Sequence, residues 1–225
     1  MNKILAFILV LLISSSSFAD LFIPKENKYF FEIIRKNKVI GFHEMLFEID
    51  NELVKIEINV DIKVKLGFIT LFKYRHQNTE KWKNNELIYI KTNSTTNSKK
   101  EYSVVGERKE DLFEYIGIDG IKTTDKDIIP ISYWNKEIIK KQEFLDSQKG
   151  IIRKIEVIEI KEEKLFFDNI EHITKKYEIN VKSKHPTDEK ELSVIYVWYT
   201  EEGELIKLEF KSPEDNSIIT YKRII

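Results

Sequence analysis

The sequence contains no cysteine, and its seven glycines are dispersed along the chain. Without cysteine the chain can form no disulfide, no thiol nucleophile, no cysteine metal site and no lipid anchor on an N-terminal cysteine. No G-x-S-x-G, P-loop or G-x-G-x-x-G motif is present, which excludes the common nucleophile and phosphate-binding loops. The fold must therefore be held together by burial, and we expect no cofactor.

The sequence also lacks an apolar run long enough to span a bilayer, which takes roughly 20 residues. An apolar run from Ile4 to Ile13 follows Lys3 and precedes a serine tract that ends in Ser17-Phe18-Ala19. A charged start, a short apolar core and small residues before the cut predict a signal peptide over residues 1–19, cleaved after Ala19. The alternative is an uncleaved anchor, which the short run disfavours. We therefore expect a periplasmic mature chain without a membrane span.

An excess of charge of one sign is absent as well. Charged residues make up 33% of the chain, but the formal net charge is -1 and the two signs are interleaved. A nucleic-acid-binding protein would show a basic patch or stripe, so we expect no nucleic-acid partner. Residues 20–225 are long enough to form a single β domain stabilised by its own core.

The most regular stretch is a long strand that begins at Leu53. Isoleucine and valine at positions 56, 58, 60, 62 and 64 alternate with polar residues, which predicts one buried and one solvated face. After Gly67 a second strand places six residues on one face, namely Phe72, Tyr74, His76, Asn78, Glu80 and Trp82. This face begins apolar and becomes polar, so we take it as the candidate site. Alternation alone does not decide whether it points into a pocket or to solvent.

Short turns rich in Asn, Asp and Gly separate the other apolar segments, and these residues tolerate the positive φ of tight hairpins. They predict a mainly β protein, a large curved antiparallel meander that forms an open or half barrel of about ten to twelve strands. An exposed loop is predicted over residues 92–98, and a β-bulge between Val157 and Ile158. The strand 194–199 is apolar on both faces and should lie in the middle of the structure.

One segment breaks the β pattern. Pro130-Ile131-Ser132-Tyr133-Trp134-Asn135 precedes residues 136–147, whose apolar positions recur near helical spacing. This pattern predicts one short covering helix, capped by Asn135 or Ser132 and followed by Gly150 at its C-terminal turn. Tyr133 and Trp134 would serve either as a lid over a ligand or as hydrophobic anchors of that helix.

Two interpretations of the polar face stay open. His76, Asn78 and Glu80 are neighbours on one strand face, and a histidine beside a carboxylate is a common proton-transfer pair. Alternatively, these side chains face water or pair with lysines on neighbouring strands. The other histidines are scattered and lack the local spacing of metal motifs, so we predict no metal site unless the fold gathers them: His43, His172 and His185.

Three segments carry a family resemblance: Tyr74-Arg75-His76-x-Asn78-x-Glu80-x-Trp82, the Pro130 to Asn135 segment, and Tyr199-x-x-x-Gly203. They resemble the signatures of exported bacterial proteins catalogued as domain of unknown function 6134, over nearly the whole mature chain. The resemblance implies a fold and no established activity. In general shape the chain is also similar to lipoprotein-carrier half-barrels of the LolA/LolB type, in which a curved sheet wraps a helix and holds acyl chains.

The leading hypothesis is a non-enzymatic periplasmic binding or carrier protein for a lipid or another apolar small molecule. Apolar contacts would come from Phe72, Tyr74, Trp82, Tyr133 and Trp134, and a head group would be oriented by His76, Asn78 and Glu80. A rival hypothesis is an envelope enzyme that uses His76 and Glu80 as an acid–base pair. A third is a structural or assembly factor whose sheet edge pairs with an envelope protein partner.

Overall fold

The computed structural model describes residues 21–97, 100–188 and 194–225. The predicted signal peptide and its cleavage site lie outside these residues. Within the described part of the chain the backbone is mainly β, and the only helix is a 3-10 helix at Lys136–Lys140. None of the described segments forms a helix long and apolar enough to cross a membrane.

The described residues contain fourteen strands, more than the ten to twelve that the turns predict. They are β1 (Lys28–Arg35), β2 (Lys38–Asp50), β3 (Leu53–Leu66), β4 (Ile69–Lys83), β5 (Glu86–Thr96), β6 (Lys100–Lys109), β7 (Leu112–Gly117), β8 (Gly120–Asp125), β9 (Glu143–Leu145), β10 (Ile152–Phe167), β11 (Ile170–Val181), β12 (Ile195–Tyr199), β13 (Leu205–Lys211) and β14 (Ile218–Arg223).

All fourteen strands belong to one antiparallel sheet in the order β8-β7-β6-β5-β4-β3-β2-β1-β14-β13-β12-β11-β10-β9. Consecutive strands are neighbours from β1 to β8 and from β9 to β14, which confirms the predicted meander, and the first strand pairs with the last. The predicted turns carry the expected backbone, since Asn51, Asn85 and Asn169 all have positive φ. Strands β8 and β9 are the two ends of the sheet and do not pair with each other, so the sheet is not closed into a barrel.

The sheet is strongly curved around an inner segment, residues 128–135. Glu80 on β4 and Tyr199 on β12 contact the adjacent residues Trp134 and Tyr133. Six steps separate β4 from β12 in the strand order, which would be roughly 29 Å in a flat sheet at about 4.8 Å per strand. Both strands can reach neighbouring residues only because the sheet curls around the segment between them.

The predicted helix over residues 136–147 is wrong in extent and type. Only five residues form a 3-10 turn, and Asn135 caps it as expected, because its side-chain oxygen accepts the Glu137 N–H at 3.0 Å. The chain then becomes extended in β9, where the Leu145 backbone bonds Ile129 and Ile131 of the inner segment. The apolar spacing that resembled a helix comes from residues that are buried from several sides.

Of three smaller expectations, the structure corrects two and confirms one. The segment expected to be an exposed loop at residues 92–98 continues β5 as far as Thr96, and its Thr92 and Ser94 side chains are buried. The bulge in β10 falls between Glu159 and Lys161 rather than between Val157 and Ile158. Strand β12 lies between β11 and β13 with Val197 buried, which confirms its predicted interior position.

Candidate functional site

The polar face of β4 points inward. Glu80 has no exposed surface, and its two carboxylate oxygens are both engaged. Oε2 accepts the indole N–H of Trp82 at 2.9 Å and that of Trp134 at 3.0 Å, while Oε1 accepts the Asn78 side-chain amide at 2.8 Å. Two of the three segments that carry the family resemblance therefore meet at one carboxylate.

The two tryptophans also pack against each other. Their rings form an edge-to-face pair with centroids 5.3 Å apart, and Phe47 packs in the same manner on Trp134 at 5.5 Å. Such aromatic pairs contribute about 0.5–1.5 kcal/mol beyond the burial of their area. Glu80 is thus the polar centre of an aromatic cluster that fixes the inner segment to the sheet.

Burial raises the pKa of Glu80, because removing the carboxylate from water disfavours its charged form. The indole donors of Trp134 and Trp82 and the amide of Asn78 act in the opposite direction, since they bind the charged form better. A carboxylate that receives donors from three side chains is satisfied within the protein. This arrangement fits a structural role, in which Glu80 links the inner segment to β4.

His76 has a different set of contacts. Its Nδ1 lies 2.7 Å from the Ser94 hydroxyl, and its ring stacks on Tyr74 at a centroid distance of 6.4 Å. The Tyr74 hydroxyl donates to the Gln148 side chain at 3.4 Å. Burial lowers the pKa of His76 to about 4, so the ring is neutral near pH 7.

The geometry does not bring His76 and Glu80 together as a proton-transfer pair. Residues four apart on one strand are separated by roughly 13 Å at about 3.3 Å per residue. Asn78 lies between them and bonds Glu80, whereas His76 bonds Ser94. A general acid and base must be within hydrogen-bond reach of a shared proton or substrate. Each group is instead occupied by its own partners in the interior.

Tyr133 and Trp134 have the contacts of anchors. Trp134 is fully buried, and the Tyr133 carbonyl accepts the Tyr199 hydroxyl at 2.5 Å. Tyr133 adopts a φ of 64°, an uncommon conformation for a residue with a side chain. The sheet therefore holds this turn of the inner segment from two sides.

The interior beside Tyr133 is filled. The gap between the side chains around it leaves no room for a water molecule. His43 lines this gap, and burial lowers its pKa to about 3, with His76 nearby as a second cause. Phe72, the remaining member of the candidate set, is half-buried against the core near the start of β4. These residues form a packed core rather than a ligand cavity.

The scattered histidines do not converge on a metal site. His43 packs on Phe31 and Tyr221, His172 on Phe167, and His185 contacts Asp119 at 3.2 Å. In residues 21–97, 100–188 and 194–225, no group of three or more metal-binding side chains comes together.

Sequence reasoning missed a buried ion cluster. Arg153 contacts Asp188 at 2.6 Å and Asp146 at 3.1 Å, and Lys149 contacts Asp188 at 2.8 Å. The Arg153 guanidinium holds the pKa of Asp188 well below its usual range. The cluster joins the turn before β10 to the loop after β11. No local signal could reveal it, because Asp188, which binds both cations, is 35 residues or more away from them in sequence.

Sequence reasoning also overlooked the tip of the β3–β4 hairpin. Pairing of β3 with β2 reaches only Ile62, and pairing of β4 with β5 begins at Tyr74, so residues 63–73 extend beyond both neighbours. We call these residues the finger. At its tip Phe68 is fully exposed, and Ile69 and Leu71 are 65% and 56% exposed. The apolar residues directly after Gly67 were the available signal.

The fold and the site define a barrel-like all-β protein with an inner segment tied to its sheet. The sequence matches the family described as Domain of unknown function (DUF6134) over residues 31–224, and the chain belongs to that family. It is also similar to the crystal structure of a beta-barrel-like protein of domain of unknown function DUF1849 from Brucella abortus. That similarity has a TM-score of 0.61 at 10% identity and covers 88% of this chain and 94% of the other. No curated protein matches the sequence.

Proposed function

We propose that this protein is a non-enzymatic module of the cell envelope that binds lipid at its surface, by inserting the finger into a bilayer interface. The observation that carries the proposal is the position of Phe68, fully exposed at the tip of a hairpin that extends beyond its neighbouring strands. Exposed apolar clusters of this kind mark interaction surfaces, and aromatic side chains favour the membrane interface.

The packed interior supports a surface site over an internal one. An internal carrier needs an apolar cavity beneath its covering segment, and the inner segment here fills that space together with the core. A lipid that entered beneath the inner segment at Trp134 would remove one of the donors of the buried Glu80 carboxyl group. Leaving a buried polar group without a hydrogen-bond partner costs about 1–3 kcal/mol.

The expected signal peptide is consistent with this function. A protein exported to the periplasm lies between two membranes and can reach their surfaces. Periplasmic localisation forms part of the proposal. The finger alone would bind weakly. Transferring Phe68, Ile69 and Leu71 out of water yields at most about 1.5–3 kcal/mol per side chain, from which the free energy of association must be subtracted. Reversible docking is the expected mode.

Sedimentation with lipid vesicles tests the proposal. The mature chain is mixed with vesicles of phosphatidylcholine and phosphatidylglycerol in a 7:3 ratio, and the bound fraction is measured against lipid concentration. Phe68→Ser should weaken binding roughly 10- to 100-fold, the range expected from losing one buried aromatic side chain. Absence of vesicle binding by the wild-type chain would refute the function.

The chain offers a matched control at the β10–β11 turn. Phe166 there is 76% exposed, but β3 and β10 run in opposite directions, so the two hairpin tips lie at opposite ends of the sheet. Phe166→Ser should leave vesicle binding unchanged. If only Phe166→Ser weakened binding, the finger would be the wrong contact. A lipid-sized adduct in the native mass spectrum that is lost in Trp82→Ala would instead support an internal carrier.

A free strand edge favours the assembly hypothesis as a second candidate. β9 covers β10 only from Ile152 to Lys154, so in the described chain β10 has no strand partner on that side beyond this point. The bulge between Glu159 and Lys161 and the surrounding charges protect the later part of this edge against pairing, so the free edge is confined to the residues before the bulge. Val157→Pro would remove an edge N–H, and loss of a co-purifying envelope protein without loss of stability would support this candidate; a variant that retains the protein would oppose it.

A further inference from the structure

We infer that the lysines of the finger select an anionic lipid surface, an inference that rests on the proposed docking function. The finger contains Lys63, Lys65 and Lys73 and no acidic residue. Lys63 and Lys65 are exposed, and Lys73 is half-buried at the base. A cluster of basic residues behind an apolar tip is complementary to phosphate headgroups at an interface into which the tip inserts.

The nearest carboxylate does not neutralise this cluster. Asp61 precedes the finger on β3 and forms an ion pair with Arg75 at 2.8 Å. No ion pair connects the three finger lysines to a carboxylate within the described residues. On the adjacent β1–β2 turn Lys38 is also exposed, and it lies at the same end of the sheet because β1 and β3 run in the same direction. The finger and the start of β2 therefore present exposed lysines at the end of the sheet that carries Phe68.

Because the apolar side chains of the finger bind a membrane only weakly, the lysines are needed for stable attachment. A single buried acyl chain gives only marginal and reversible membrane binding, and stable attachment requires a second signal such as a basic cluster. The apolar finger tip is comparable to one such signal, and the lysines supply the other. The charges need no deep burial, because lysine stems lie along apolar surface while their ammonium groups remain at the headgroup level.

The expected size of the effect follows from the number of lysines. Each lysine near an anionic bilayer strengthens binding roughly fivefold, so three give about 100-fold. This contribution is screened by salt, because the Debye length falls from about 10 Å at 0.1 M to about 3 Å at 1 M ionic strength. The apolar contribution is not weakened in this way. Salt therefore separates the two components.

Two vesicle compositions test the inference. Binding of the mature chain to pure phosphatidylcholine is compared with binding to 7:3 phosphatidylcholine and phosphatidylglycerol at 0.1 M and 1 M salt. We expect about 100-fold tighter binding to the anionic vesicles at low salt, and a much smaller ratio at high salt. The triple variant Lys63→Gln, Lys65→Gln and Lys73→Gln should bring the ratio close to one at low salt.

A control variant changes the same net charge elsewhere. Lys83→Gln, Lys161→Gln and Lys164→Gln remove three exposed lysines from parts of β4 and β10 away from the finger and should leave the ratio of the wild type. Equal binding of the wild type to both vesicles, or an equal loss in both triple variants, would overturn the inference while the proposed docking function stands. Failure to bind either vesicle would overturn the docking function itself.

Discussion

Aromatic residues at the two ends of β4 lie in opposite environments. Trp82 near its end is buried and bonded, whereas Phe68, just before its start, is exposed. Phe68 lies in the turn that leads into β4, and Trp82 lies on the strand itself. The difference arises from what lies across from each: the inner segment packs over Trp82, while the finger extends past both neighbouring strands. Position along a strand, and not residue type, separates the structural region from the candidate docking region.

The comparison also separates two uses of polar residues. At the buried half, the Glu80 carboxyl group accepts the Trp82 indole N–H and the Asn78 side-chain amide, donors that would otherwise be unpaired, which is a requirement of burial. At the finger, lysines remain in water. Changes in the buried half should therefore alter stability, and changes in the finger should alter binding alone. Three predictions test this division.

The largest effect is expected for Glu80→Ala. The substitution leaves two indole N–H groups and one amide without an acceptor, and each unpaired donor costs about 1–3 kcal/mol, so the free energy of unfolding should fall by roughly 3–9 kcal/mol. Urea denaturation followed by tryptophan fluorescence measures this loss. Glu80→Gln is the matched control, because it keeps one carbonyl oxygen for the indoles without a buried charge, and it should cost far less. Equal losses of unfolding free energy in both variants would contradict the structural role of Glu80.

An intermediate effect is expected from acid. Burial lowers the pKa of His76 to about 4 from an ordinary value of 6.5, so between these values the unfolded chain binds a proton that the folded chain does not. Stability is therefore full above about pH 6.5 and declines as the pH falls towards 4, by about 3 kcal/mol for His76 alone. Buried His43 acts in the same direction.

The histidine contribution can be isolated by substitution. The pKa of Glu80 is raised, so its contribution has the opposite sign and is lost as the pH rises above the ordinary range of a carboxyl group. Unfolding free energies at pH 7 and pH 4.5 should differ less in His76→Gln than in the wild type. An identical pH slope in the two proteins would show that His76 titrates normally.

The smallest effect on stability is expected at the finger. Phe68→Ser removes no buried contact, so its free energy of unfolding should remain within about 0.5 kcal/mol of the wild type. Thermal unfolding monitored by circular dichroism measures this. A marked loss of stability in Phe68→Ser would mean that the finger packs on the protein in solution, and its effect on vesicle binding would then need another explanation.

Much of the fold was predictable from local patterns. Alternation over β3 and β4 and the Asn- and Gly-containing turns indicated the meander, because both depend on backbone geometry within a few residues. The predicted helix over residues 136–147 was wrong, and the reason is not local. The spacing of Trp134, Ile138 and Leu145 reflects a segment enclosed by the sheet, and periodicity does not distinguish an enclosed extended chain from an amphipathic helix.

The membership of the polar face was also predictable, since its residues alternate along one strand. Its direction and its bonds were not. Glu80 and Trp134 are 54 positions apart, and they meet only because the curled sheet encloses the inner segment. The sequence by itself determined which residues share a face and where the chain turns. The tertiary structure alone decided which of those faces is covered, because coverage depends on the curvature of the whole sheet and on how far each hairpin extends beyond its neighbours.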